Sequence, residues 1–135
     1  MSLISHALIE AKKHYDAKTY AHAMRVATYV AKNNLILEED LDKCIALAIM
    51  HDLLEDTDYE IACFLPCDFV NSLNVLTKGK CEDYIEYIKR IRNSAHLYPL
   101  AYWVKLADMK DHLAQTETLT DKLKEKYLAA LPYLL

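Results

Sequence analysis

His51-Asp52 and, one helical turn later, Glu55-Asp56 follow the apolar stretch Ile45-Ala46-Leu47-Ala48-Ile49-Met50. A low-dielectric core does not accept four ionisable groups unless they are paired or bound to a cation. If this stretch continues as one helix, positions 51, 52, 55 and 56 fall on one face and their side chains can converge on one point. A metal ion is the simplest partner for that convergence. His22 and Asp108, from two other predicted helices, complete a candidate ligand set of His22, His51, Asp52 and Asp108. Two imidazoles and two carboxylates suit Mn2+, Fe2+, Co2+, Ni2+ or Zn2+ and leave two positions of an octahedral ion open for water or substrate. Open positions are what metal-assisted hydrolysis of a phosphate ester requires.

His22 alone reads as a structural histidine, and it becomes a ligand only when taken jointly with the other three. Glu55 and Asp56 would end a helix, where the dipole disfavours negative charge. Two acids tolerated there suggest a nearby cation, although a solvated helix end would also accept them.

Helical periodicity has to bring these residues together. One glycine and three prolines in 135 residues, with plentiful alanine, leucine, lysine and glutamate, predict an all-α chain of six to eight helices in one domain, 1–135. The first helix is expected over Leu3 to about Lys18, with Leu3, Ala7, Leu8, Ala11 and Tyr15 on one face. The second should run from Thr19 to Asn33 and bury Ala23, Val26, Ala27 and Val30. Acidic Glu38, Glu39 and Asp40 open a third helix that should last to Asp56, where Thr57-Asp58-Tyr59-Glu60 has the form of a capping box for a short fourth.

Further helices are expected over Asp68 to Leu76, Glu82 to Arg92, His96 to Ala114 and Thr120 to Leu134. Gly79 should relieve a turn, and Leu123, Tyr127, Leu128 and Leu131 should pack the last helix. Tyr84 and Tyr87, which could stack on a base, are read as core.

The four cysteines read as free thiols in the core, in the absence of a secretory leader. Cys63-x3-Cys67 lacks a second pair for structural zinc. No apolar run approaches the roughly 20 residues of a membrane span. A formal charge of −4 argues against general binding of a nucleic-acid duplex. The expected location is the cytoplasm, and a homo-oligomer is left open.

The order H, H-D, D, with His51-Asp52-Leu53-Leu54-Glu55-Asp56-Thr57 at its centre, resembles the HD-domain metal-dependent phosphohydrolases. H-D-x-x-E-D-T together with Val104-Lys105-Leu106-Ala107-Asp108 resembles the RelA/SpoT-type guanosine polyphosphate 3'-pyrophosphohydrolases and their small stand-alone relatives, over about residues 7 to 115. The resemblance implies an HD helical bundle in which His22, His51, Asp52 and Asp108 hold one metal, commonly manganese. It also implies that Glu55 and Asp56 act on the attacking water and the leaving group. The implied partner is a small nucleotide of the guanosine tetra- or pentaphosphate kind.

Two departures stand out. The segment before His22 is shortened, with Lys18 as its one cation, and His112 stands where the family carries asparagine. Lys18, Lys78, Lys105 and His112 are the expected substrate contacts. For Lys105 a structural ion pair is the competing reading, for Lys78 a solvated turn, and for His112 a surface position. The same centre could serve a 5'-nucleotidase or phosphodiesterase acting on another nucleotide, or a nucleotide-binding module without turnover.

Overall fold

Helix α3 (Glu38–Met50) is apolar around most of its circumference, so neighbours must cover it on several sides. In the computed structural model, which describes residues 1–135, they do. Helices α1 (Leu3–His14), α2 (Ala17–Ala31), α5 (Cys67–Val75) and α7 (Pro99–Ala114) all lie against it. The remaining elements are α4 (Leu53–Asp56), α6 (Tyr84–Asn93) and α8 (Asp121–Leu134), with α8 packed on α6 and α7. All eight helices contribute to one cluster of 30 buried hydrophobic residues, which agrees with the all-α expectation and with an HD-type bundle.

Caps set most helix ends. Ser2, Asp16, Asp83 and Thr120 each accept hydrogen bonds from the first-turn amides of α1, α2, α6 and α8. Asp16 also explains why α1 stops at His14 and not near Lys18, since its carboxylate accepts from the Thr19 amide and begins α2 at Ala17. Helix α7 begins at Pro99 and not at His96, because proline suits the first turn and pushes the preceding Tyr98 out of the helical region.

Two further departures matter for the site. The third helix breaks after Met50, and a separate four-residue helix carries Glu55 and Asp56. At the break the His51 amide reaches the Ala48 carbonyl at only 3.5 Å, while His51 Nδ1 donates to that same oxygen at 2.6 Å. The expected capping box starts no helix. Thr57 Oγ1 instead donates to the Leu53 carbonyl at 2.7 Å, closing α4, and accepts from the Tyr59 amide.

Leu8, Leu123 and Leu128 are exposed, contrary to the expected packing. Cys44 is buried, whereas Cys63, Cys67 and Cys81 are exposed, and all four thiols are free. Gly79 does not adopt a positive φ, so its turn makes no special demand on glycine.

Candidate metal centre

Four elements converge on one point. His22 lies in the second turn of α2, His51 and Asp52 form the link from α3 to α4, and Asp108 faces them from the middle of α7. One ligand atom from each of these residues lies within 4.8 Å of every other. Asp108 Oδ1 is the hub, 2.7 Å from His22 Nε2 and 3.1 Å from His51 Nε2. Asp52 Oδ2 stands 3.3 Å from His51 Nε2 and 3.9 Å from His22 Nε2.

Outer contacts fix both rings. His22 Nδ1 donates to Asp111 Oδ2 at 2.6 Å, as His51 Nδ1 does to the Ala48 carbonyl. A carboxylate and a carbonyl only accept, so both Nδ1 atoms carry the proton. In the neutral rings the two Nε2 lone pairs then face Asp108 and Asp52, and an assembly of acceptors alone calls for a cation between them. Without a cation the carboxylates draw that positive charge onto the rings as protons. Burial opposes charge on His51, yet the Asp52 and Asp108 carboxylates hold its pKa up to about 9. Burial likewise opposes ionisation of Asp108, but Lys105, His112, His22 and His51 keep it far below the usual carboxylate range. The donor set therefore fits a divalent ion with mixed nitrogen and oxygen ligands.

Residues beyond the expected set hold this arrangement. Asp111 is fully buried and accepts from Arg25 Nε at 2.9 Å as well as from His22. Tyr15 donates its hydroxyl to the Ile49 carbonyl at 2.8 Å and accepts from the Asp52 amide at 3.2 Å, fixing the break that presents His51 and Asp52. Asp111 follows Asp108 by three positions on the same helical face, a spacing visible in the sequence. Tyr15 was legible only as a core residue.

A cavity of about 340 Å³ opens beside the cluster, lined by Asp52, Glu55, Asp56, Lys78, Lys105, Asp108 and His112 together with Tyr84, Tyr87, Lys126 and Tyr127. Glu55 Oε1 accepts from the Lys78 backbone amide at 2.6 Å. Burial, then the charges of Asp52 and Glu55, raise the Asp56 carboxyl to about 6. The Lys78 ammonium donates to the Gly79 carbonyl. Lys105 is buried and donates to Asp108 Oδ2 at 2.7 Å, the ion-pair alternative for that residue.

His112 Nε2 lies 3.2 Å from Asp108 Oδ1, and its ring stacks between His22 at 4.5 Å and Tyr127 at 4.7 Å. Lys18 is not in this cavity. It is exposed and lines an adjoining groove with His22, Arg25, His112 and Gln115, because Asp16 caps α2 and the first turn carries Lys18 away from Glu55 and Asp56. Tyr87 is core, with its hydroxyl donated to the Leu76 carbonyl. Tyr84, half-buried, forms part of the cavity wall.

Residues 19–75 match the family model described as HD domain. His22, His51 and Asp52 fall inside the matched segment, and α7 supplies Asp108 from beyond it. No curated protein matches the chain. The match spans 57 of the 135 residues, under half of the chain. No helix is long and apolar enough to cross a membrane.

Proposed function

We propose that the chain, as a single HD domain, hydrolyses the 3'-pyrophosphate of a guanosine tetra- or pentaphosphate-like nucleotide in the cytoplasm, with manganese as the metal. The observation that carries the hydrolytic reading is the gathering of His22, His51, Asp52 and Asp108 within 4.8 Å at the edge of the cavity that Glu55 and Asp56 also line. The sequence resemblance supports the guanosine 3'-pyrophosphate.

A divalent ion held by those four residues would supply Lewis acidity to a phosphoryl oxygen and acidify water. Glu55, steadied through one oxygen by the Lys78 amide, takes the proton of the attacking water. The water oxygen bonds to the 3' phosphorus as the bond from that phosphorus to the ribose oxygen breaks. Asp56, with its pKa raised to about 6, keeps a protonated fraction near neutral pH and delivers that proton to the departing ribose oxygen. Pyrophosphate and the 3'-hydroxyl nucleotide are the products. Lys78 and His112 face the nucleotide, while Lys105 acts through Asp108 by fixing its second oxygen.

A second reading, hydrolysis of a nucleoside monophosphate or phosphodiester at the same centre, is favoured by the position of Lys18 outside the cavity. Incubating manganese-loaded protein with guanosine tetraphosphate and with a panel of nucleoside monophosphates separates the two. Pyrophosphate release from the first supports the proposal, and orthophosphate release from the panel supports the second reading. Tight nucleotide binding with no product from either would identify a binding module and overturn both.

A further inference from the structure

Helices α2 and α7 leave a second cavity between them, of about 410 Å³, and none of the metal-ligand residues lines it. Its α7 wall is Trp103, Leu106, Ala107 and Lys110, spaced three and four positions apart along one face of that helix. Lys105, Asp108 and His112 project from roughly the opposite face, about half a turn round the helix axis. The α2 wall is Tyr29 and Val30, two turns beyond His22.

The lining joins two chemistries. Tyr29, Trp103 and Leu106 are only half-buried, so two aromatic side chains and an aliphatic one present apolar surface to the cavity. Lys32 and Lys110 also line it, both exposed, and neither forms an ion pair. The Lys110 ammonium lies 4.7 Å from the centre of the Tyr29 ring, which sets a cation against the aromatic surface. No carboxylate lines the cavity, although acidic residues outnumber lysine and arginine by 20 to 16 in the chain. An apolar hollow that excludes acids and keeps two unpaired lysines favours a negatively charged occupant. Its volume falls in the range of small-ligand cavities, roughly 300–1,000 Å³.

We infer that this cavity is a second binding site, for a small aromatic anion whose ring system packs on Trp103 and Tyr29 while its acidic group is met by Lys32 and Lys110. The ring gains apolar burial and aromatic contact, and the two ammonium groups select the sign of the charge. The site does not depend on the hydrolytic reading, since no residue of the metal centre or of the cavity beside it takes part.

Trp103 is the only tryptophan of the chain, so its indole N–H is a single reporter inside the cavity. Isotope-labelled protein would be titrated with naphthalenesulfonate and with uncharged naphthalenemethanol, and the indole signal followed by NMR. The sulfonate should shift that signal saturably and bind roughly threefold to tenfold more tightly than the alcohol at low salt, the order expected for two exposed lysines. Added salt should erode the preference. The double variant Lys32→Gln/Lys110→Gln, changed only at exposed positions, should keep its fold and bind both ligands with equal affinity. The inference is overturned if neither ligand moves the indole signal, if the wild type binds the alcohol as tightly as the sulfonate, or if the double variant retains the preference. Sedimentation supplies one further outcome against it: a self-associating chain that Lys110→Glu renders monomeric would assign the cavity to a contact between two copies.

Discussion

Asp111 Oδ2 stands 2.6 Å from His22 Nδ1, on the side of the ring that faces away from the ligand cluster. This contact sets which nitrogen of His22 carries the proton, and therefore which one can meet a cation. Arg25, bonded to the same carboxylate, keeps Asp111 ionised in a fully buried position, where burial alone would favour its protonated form.

Replacing Asp111 by asparagine should therefore weaken metal binding about 10–100-fold while His22 stays in place. Competition with a fluorescent chelator gives the affinity. An affinity equal to that of the wild type would show that the contact does not tune the ligand.

Glu55 makes none of the contacts within the ligand cluster, and its hydrogen bond runs to the Lys78 amide. Glu55→Gln should retain metal and lose most of the rate, whereas His51→Ala and Asp52→Ala should empty the site. Elemental analysis beside single-turnover rates distinguishes these outcomes. A Glu55→Gln protein that loses its metal would contradict the role of base.

Asp56 has a folded-state pKa of about 6, above its ordinary value of 3.8, so the folded chain binds this proton more readily than the unfolded one. Its charge is consequently a cost to folding, absent well below pH 4 and growing as pH rises from about 4 through 6. Asp56→Asn should raise the melting temperature of metal-chelated protein at pH 7.5 and have little effect at pH 4. Equal shifts at both pH values would point to a steric cause.

Tyr15 bridges the Ile49 carbonyl and the Asp52 amide through one hydroxyl. Tyr15→Phe leaves both groups without that partner and should cost roughly 1–3 kcal/mol, with a measurable loss of metal affinity because the His51-Asp52 link loosens. Denaturant melts of the chelated protein check the first effect, and chelator competition checks the second. An unchanged midpoint would mean that water replaces the hydroxyl.

The ligand set could be read from the sequence because its parts lie in strongly periodic helices, where spacing fixes direction. His22 is on the face of α2 that also buries Val26, and Asp108 is on the buried face of α7 with Val104 and Lys105. What spacing missed was side-chain competition for the backbone. His51 Nδ1 takes the Ala48 carbonyl and Thr57 takes the Leu53 carbonyl, so a helix expected to run to Asp56 becomes two. Lys18 falls in the first turn of α2, lining the groove that adjoins the cavity, because the Asp16 cap starts that helix upstream of the expected Thr19. Lys126 was out of reach because its approach to the Tyr84 ring depends on how α8 crosses α6, which helical periodicity does not specify. Leu8, Leu123 and Leu128 have the right period, but no neighbouring element covers them.

His22 and Asp108 are 86 positions apart along the chain, yet both would grip one ion. Such an ion would act as a non-covalent crosslink that only the folded polypeptide can complete, so its free concentration would enter directly into resistance to heat and proteolysis. At a hundredfold excess over the dissociation constant the gain would be about 2.7 kcal/mol, a large share of the stability of an ordinary domain of this size. Scarcity of the cation in the cell would then shorten the lifetime of the polypeptide as well as idle its chemistry.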